Sequence, residues 1–379
     1  MDCFIHALPK CEHHVHLEGT LSPAHRLLCA QRNNIALPNN ISSLSVLEKE
    51  LYPADYDYEE GQDGSDYLRE FLANYYGAME VLITPEDFRG MAAEYIERAR
   101  KMNVRYAEVF FDPQAHTSRG VPLETVMQGL LQAREDEKKL HEGKPDYVRI
   151  EYILCFLRDM SADSAIETWK AAVNGGYLKD IIGVGLDSDE DGHPPQKFDE
   201  VFEAARKAGL KITAHCDVDQ PGCHANIAYV ATKLGGPRNH DGPTELFLTP
   251  KYDAGADRID HGLNCADNPE LLELIKKSNL GLTLCPMGYS KHLGPESVFR
   301  KLELIKQTGI PFCLNSDDPA YMCRYKEKVV IDVQGKTGWT MEEIAACEIN
   351  AIHMSWTKDL EFKKDFVAEV ERVLKEFSK

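Results

Sequence analysis

The sequence has no continuous apolar stretch that approaches the roughly 20 residues needed to cross a membrane. Its first segment, MDCFIHALPKCEHHVHLEG, also lacks the basic region followed by an apolar region that is typical of a secretory signal. Positive charge is scarce, because 43 Lys and Arg residues stand against 62 Asp and Glu residues and leave a net charge of −19. We therefore expect neither a nucleic acid nor a membrane surface as a partner.

Paired cysteine motifs are missing as well. The 11 cysteines are an odd number, they form no Cys-x-x-Cys pair, and several stand inside apolar runs such as EYILCFL and GLTLCP. This pattern is typical of buried thiols in a reducing compartment, so we predict a cytoplasmic protein. The chain also has no internal repeat, low-complexity tract or obvious linker, and we predict one domain that spans residues 1–379.

Short apolar runs recur along the chain, and most are continuous rather than alternating. Continuous runs are typical of parallel strands that are buried on both faces. Eight such strands that alternate with helices predict an α/β fold, a (β/α)8 or TIM barrel. The predicted strands are CEHHVHL from residue 11, VRYAEVFF from 104, VRIEYILCFL from 148, DIIGVGL from 180, LKITAHC from 210, ADRIDHGL from 256, LGLTLCP from 280 and IPFCLNS from 310.

Amphipathic segments lie between these runs, with apolar residues at helical spacing. Clear examples are EDFRGMAAEYIERARKMN, PLETVMQGLLQAREDEKKLHE, FDEVFEAARKAG and NPELLELIKKSN, and the tail from residue 340 is also predicted to be helical and to pack on the barrel. Two regions do not fit the repeat, near residues 38–66 and 216–255. We predict both as insertions after strands, a position from which loops often cover an active site.

Polar residues interrupt the apolar runs at the same end of several strands, where the active site of a barrel lies. Because side chains alternate along a strand, His14 and His16 point the same way, into the barrel mouth, while His13 points toward the helices. With His215 after strand five and Asp317 after strand eight they supply three nitrogens and one oxygen. This donor set suits one zinc-like ion with a position left for water.

One of these ligands, Asp317, and a further residue, His261, are predicted to be catalytic. Asp317 can accept the proton of a water that the metal activates, and His261, at the end of strand six, can orient that water or stabilise charge. A zinc-stabilised structural protein is the alternative from another class, although structural zinc sites are usually closed and rich in cysteine.

The segments LPKCEHHVHLEGTL, AEVFFDPQAHTSRG, GLDS, RIDHG and LNSDDPAY resemble the adenosine/adenine deaminase family of the amidohydrolase superfamily, and most closely its fungal-type adenine deaminase branch. The resemblance implies a metallo-dependent hydrolase barrel with one zinc ion per chain, held by His14, His16, His215 and Asp317. It implies that His261 assists the hydrolytic water, that Asp318 contacts N7 of a purine, and that the backbone at Gly185 approaches N3. His16 is also expected beside the substrate. The loop at residues 111–120 would cover the purine.

The sequence departs from this family after strand five. Family deaminases have a His-Ala-Gly-Glu motif whose glutamate protonates the purine ring, and here Val218 stands at the glutamate position. Three interpretations stay open. Asp217 or Asp219 supplies the acid and the protein deaminates a 6-aminopurine; the metal site is intact but acts on a different C–N or carbonyl substrate; or the protein binds a purine-like ligand without turnover.

A second departure follows strand seven, where CPMGYSKH stands and relatives carry small polar residues near the proline. Met287, Gly288 and Tyr289 would change the wall of the pocket, which leaves the substrate open among adenine, adenosine and N6-modified relatives. The resemblance favours a base or a molecule of similar size as the small-molecule partner. Oligomeric state stays open.

Overall fold

The computed structural model describes residues 1–52, 64–216, 222–238 and 253–379. Within these ranges nine short strands lie parallel to their neighbours in two hydrogen-bonded sheets, β1 to β5 and β6 to β9. They are β1 Lys10–Glu12, β2 Val104–Phe111, β3 Arg149–Leu157, β4 Ile181–Asp187, β5 Lys211–Ile212, β6 His215–Cys216, β7 Ile259–His261, β8 Leu282–Leu284 and β9 Phe312–Leu314. Each overlaps a predicted run, and Lys10 of β1 and Asp187 of β4 lie one residue outside the predicted bounds.

The two sheets are halves of one closed barrel. β5 and β6 are the two ends of the predicted fifth strand, and between them Thr213 donates its amide to Val184 while Asp260 donates to the carbonyl of Ala214. The barrel closes on the other side through a parallel bridge between Val15 and Asp317. The predicted (β/α)8 barrel is therefore confirmed.

The helices surround this barrel, and the four amphipathic segments named above are helical within a few residues of their predicted ends. Among the described residues, no helix is both long and apolar enough to cross a membrane. The helices are α1 Asp2–Ala7, α2 Pro23–Arg32, α3 Leu44–Leu51, α4 Gly64–Met79, α5 Pro85–Lys101, α6 Pro113–Thr117, α7 Leu123–His141, α8 Ala162–Asn174, α9 Asp199–Lys207, α10 Cys223–Thr232, α11 Pro269–Lys277, α12 Pro286–Leu293, α13 Pro295–Thr308, α14 Pro319–Met322, α15 Lys326–Thr337, α16 Met341–Met354 and α17 Leu360–Phe377.

The two predicted insertions fare differently. Near residues 38–66, helix α3 and the start of α4 interrupt the strand–helix repeat, and residues 53–63 lie outside the described part of the chain. The insertion predicted at 216–255 is too long, because α10 packs on β6 and β7 as an ordinary crossover helix of the barrel. Residues 217–221 and 239–252 of that segment lie outside the described ranges.

The barrel interior beneath the predicted site is filled by side chains. Phe110, Ile153, Cys155 and Trp356 form a buried cluster there, and the guanidinium of Arg258 lies 4.1 Å from the Trp356 ring. The cleft that contains predicted metal ligands lies at the carboxyl ends of the strands. All 11 cysteines lie in the described residues and none is in a disulfide, as the sequence predicts.

Candidate active site

Three strands of the barrel bring the four predicted metal ligands together in a buried cluster. His14 and His16 follow β1, His215 begins β6 and Asp317 follows β9. The Nε2 atom of His14 lies 3.2 Å from Oδ1 of Asp317. The Nε2 atom of His16 lies 2.9 Å from Nε2 of His215 and 3.6 Å from the same Asp317 oxygen.

The opposite ring nitrogens of His14 and His215 have partners, which turns the Nε2 atoms of these two residues toward the cluster. Nδ1 of His215 contacts the carbonyl oxygen of Leu186 at 3.0 Å. Nδ1 of His14 lies 2.9 Å from Oγ1 of Thr283, whose hydroxyl donates to Oδ1 of Asp260 at 2.9 Å. Because that hydroxyl gives its one proton to Asp260, it accepts from Nδ1–H of His14, and Nε2 of His14 keeps the lone pair. That Nε2 is buried and forms no hydrogen bond in the described part of the chain.

The protonation states also suit a cation. Burial lowers the pKa of His16, and burial followed by the neighbouring His14 lowers the pKa of His215 well below its usual value. Burial would raise the pKa of Asp317, but His14 and His261 outweigh it and hold that pKa far below its ordinary value. Neutral imidazoles beside an ionised carboxylate are the forms that bind a divalent metal. The residues therefore fit a divalent metal ion.

His261 stands at the edge of this cluster. Its Nε2 lies 4.0 Å from Oδ2 of Asp317, on the oxygen that does not face His14. The donor atoms of His14, His215, His261 and Asp317 all lie within 4.8 Å of one another, so His261 is close enough to compete with His16 as a ligand. His261 and Asp317 both have left-handed backbone, with φ of 64° and 65°. Such strain in residues other than glycine is common at functional sites.

A cleft opens above the cluster to solvent. Its lining includes residues of the barrel mouth and a wall of aromatic and aliphatic side chains from α4. The sequence predicts an insertion near that point but does not predict this wall. The loop predicted to cover the cleft, residues 111–120, contributes Asp112 to its lining. The lining residues are His16, Leu68, Phe71, Leu72, Tyr75, Tyr76, Asp112, Arg158, Asp187, Ser188, Glu190, His215, His261, Gly288, Tyr289, Asp317, Asp318 and Met322.

Asp318 enters this cleft because the chain turns into α14 directly after Asp317, with Asp318 as the N-cap residue. It is buried, and its Oδ1 forms no hydrogen bond in the described residues. Burial and the charge of Asp317 raise the pKa of Asp318 well above its usual value, which favours a neutral acid with a proton to donate. Gly19 makes room for it, since a Cβ at Gly19 would lie 2.1 Å from Oδ1 of Asp318.

The other predicted substrate contact is not brought to the cleft. Gly185 lies inside β4, where an added Cβ would meet Sγ of Cys155 at 2.6 Å. The cleft is instead lined by Ser188 and Glu190, which follow the end of β4. Gly185 is not among the residues that line the cleft, and its contact with a purine stays a prediction. The predicted acids Asp217 and Asp219 lie outside the described residues, as does Val218.

A set of buried carboxyl groups beside His16 was not predicted from the sequence. His116 donates from Nε2 to Oε1 of Glu18 at 2.8 Å, and Tyr75 donates its hydroxyl to Oδ2 of Asp112 at 3.2 Å. Burial raises the pKa of Glu18 to about 7, and burial with the charge of Glu18 raises the pKa of Asp112 to about 6. Asp187 lies 3.5 Å from Nδ1 of His16. The acid at Glu18 was visible in HLEG, but only the fold shows which groups it meets.

A parallel barrel with three convergent histidines and an aspartate at its carboxyl end defines a hydrolase of the amidohydrolase superfamily. A family model described as adenosine deaminase matches residues 9–221 and 252–373, and the chain belongs to that family. The predicted family is thus confirmed. The chain is a hydrolytic deaminase, an enzyme that acts on C–N bonds.

Relatives and solved structures agree with this family. The chain is 37% identical over 366 residues to an adenine deaminase of Streptomyces coelicolor, covering 96% of this chain and 95% of that protein. It is 34% identical to an uncharacterized deaminase of Schizosaccharomyces pombe, covering 94% of this chain and 93% of that protein. A crystal structure of adenine deaminase from Arthrobacter aurescens superposes with a TM-score of 0.81 at 31% identity, over 97% of this chain and 99% of that chain.

Proposed function

We propose that this chain is a zinc-dependent deaminase of a 6-aminopurine, with adenine as the first candidate. The observation that carries the proposal is the convergence of His14, His16, His215 and Asp317 on the floor of a cleft that Asp318 also enters. The adenine deaminases named above are similar over almost the whole chain, which supports the choice of substrate.

Zinc, when bound by these four residues, would supply a water of lowered pKa at neutral pH. The chain's own groups would then handle the protons. Oδ2 of Asp317 lies toward His261 and not toward His14, so this oxygen is placed to accept the proton of the water and to pass it to the departing amine. Asp318 in its acid form would donate to a purine ring nitrogen such as N7 and fix the ring over Asp317.

The proton for ring nitrogen N1 needs a further acid, since Val218 cannot supply it. We propose Asp217 or Asp219, the carboxyl groups on either side of Val218 in the chain. A carboxyl group in a closed pocket can have its pKa raised enough to serve as a general acid.

The walls beside His16 support a base rather than a nucleoside. Tyr75, Asp112 and Asp187 line that side of the cleft, and the Tyr75 ring centroid lies 6.4 Å from that of His16. A ribose on this side would have to displace a hydrogen-bonded Tyr75–Asp112 pair.

Val218 also favours one alternative. If the ring-protonating acid is lost, the same metal site would serve an amidohydrolase whose C–N or carbonyl substrate needs only activated water and Asp317.

The test is to load the protein with zinc and to record ultraviolet spectra and ammonia release with adenine, adenosine and AMP. We expect adenine to react fastest. Asp217→Asn and Asp219→Asn run in parallel, with Asp163→Asn at an exposed position on α8 as the matched control. One of the first two variants should lower kcat by about 10²–10⁴-fold, the usual contribution of a general acid. If stoichiometric zinc is bound and no aminopurine reacts, the deaminase proposal for purines is refuted and the alternative is favoured.

A further inference from the structure

Gly288, the third residue of α12, is one of the residues that line the cleft. Its φ is not in the left-handed region, so the backbone does not require glycine here. Glycine is unfavourable inside a helix relative to alanine, so we looked for a reason for it in the packing around this position. The reason is visible in its surroundings: a Cβ at this position would meet Oδ2 of Asp317 at 3.2 Å, and it would meet no other described atom within 4 Å.

The space that Gly288 leaves lies beside Oδ2 of Asp317, the oxygen to which the proposed function assigns the proton of the departing amine. Oδ1 of Asp317 faces His14 and His16, while Oδ2 faces His261 and the position of Gly288. A departing amine has to gain a proton, and Oδ2 is the oxygen from which it can take one. Any group attached to the exocyclic nitrogen would therefore pass beside Gly288.

Apolar side chains form part of the wall of the cleft that contains this space. Tyr289 is buried beside His261, with ring centroids 5.0 Å apart in an edge-to-face arrangement. Helix α12 packs on α4, which contributes Leu68 and Leu72 to the lining, and Met322 comes from α14. An alkyl group would be buried against these side chains, whereas an amino group alone makes no use of them.

We propose that the enzyme accepts adenines whose exocyclic nitrogen carries an alkyl group, and that Gly288 is the residue that admits them. This inference rests on the proposed purine deaminase activity. In the reaction a water adds at C6, the bond from C6 to the exocyclic nitrogen breaks, and the products are the 6-oxopurine and a primary alkylamine. Of the two protons of the water, one ends on the amine and the other is balanced by the proton that ring nitrogen N1 gains, so no further reactant is required.

The test compares kcat/KM for adenine, N6-methyladenine and N6-propyladenine in the zinc-loaded wild-type protein and in Gly288→Ala. The released amine is identified by mass spectrometry. The control is Gly335→Ala in α15, another helical glycine, whose added Cβ would meet nothing within 4 Å. Zinc content and melting temperature are measured for each protein, so that displacement of Asp317 or poor folding is recognised.

We expect the wild type to release alkylamines. We also expect Gly288→Ala to reduce kcat/KM for the alkylated bases by about tenfold more than for adenine, the size of effect that one methyl group has in a filled pocket. An equal loss for adenine and its alkyl derivatives in Gly288→Ala would overturn the inference. So would a wild type that deaminates adenine but none of the alkylated bases, and in that case the proposed function would stand. If the wild type acts on none of these purines, the proposed function itself fails.

Discussion

Thr283 links the metal cluster to a buried carboxylate, and its hydroxyl can be removed without changing the shape of the side chain. The hydroxyl accepts from Nδ1–H of His14 and donates to Asp260, and all three residues are fully buried. Thr283→Val keeps the volume and the β-branch but breaks both hydrogen bonds. His14 would then lose the contact that fixes its tautomer and its ring orientation.

The size of the effect follows from what is left behind. A buried group that loses its hydrogen-bond partner costs about 1–3 kcal/mol, and here Nδ1–H of His14 has no other partner in the described residues. Groups that orient a metal-binding histidine contribute about 10–100-fold to metal affinity. We therefore expect Thr283→Val to weaken zinc binding by about that factor, which is about 1.4–2.8 kcal/mol.

Zinc affinity is measured by competition with a chromophoric chelator, and the stability of the metal-free protein by urea unfolding. The matched control is Thr213→Val, another fully buried threonine, whose hydroxyl donates only to the carbonyl oxygen of Arg258 at 3.3 Å. The control should lose some stability and keep its zinc affinity. If Thr283→Val and Thr213→Val bind zinc equally well, then the hydroxyl of Thr283 does not orient His14 and the reasoning is refuted.

Other predictions test the remaining parts of the site. His16→Ala should lose bound zinc after dialysis, whereas His261→Ala should retain zinc and lose about 10²–10⁴-fold in kcat. If His16→Ala retains zinc and His261→Ala loses it, then His261 is the ligand. Gly19→Ala places a Cβ 2.1 Å from Oδ1 of Asp318 and should lower the free energy of unfolding, measured in urea, by about 1–3 kcal/mol. The control is Gly77→Ala, whose Cβ meets nothing within 4 Å, and equal stability of the two variants would contradict this prediction. Chelation of the metal should abolish activity but leave the circular dichroism spectrum unchanged; unfolding on chelation would instead indicate a structural zinc site.

The strands and the metal cluster could be predicted because they depend on short-range patterns. Continuous apolar runs mark strands that are buried on both faces, and alternation along a strand puts His14 and His16 on one side. His13, between them, points the other way, as predicted, and its Nε2 contacts the carbonyl oxygen of Ala351 at 2.7 Å. Parallel strands then bring their carboxyl ends to one edge, which adds His215 and Asp317.

The cover of the cleft and the surroundings of Glu18 could not be predicted in this way. The packing position of α4, a helix that follows an insertion, decides which of its rings reach the cleft. The hydrophobic periodicity of the sequence does not encode that position. Glu18 meets His116, which is 98 residues away in the sequence.

The backbone hydrogen bonds that close the barrel also hold Asp317 beside the histidines of the first strand. Asp317 donates its amide to the carbonyl of His14 and accepts from the amide of His16, both at 3.0 Å, in the bridge that joins the last strand to the first. Glu12 holds the preceding residue, since its Oε1 accepts from both the amide and the hydroxyl of Ser316. The left-handed backbone at Asp317 costs about 1–3 kcal/mol, and it persists only where the surroundings fix it. Here the closing bridge fixes it, so the barrel cannot close in this register without bringing Asp317 to the histidines of the first strand.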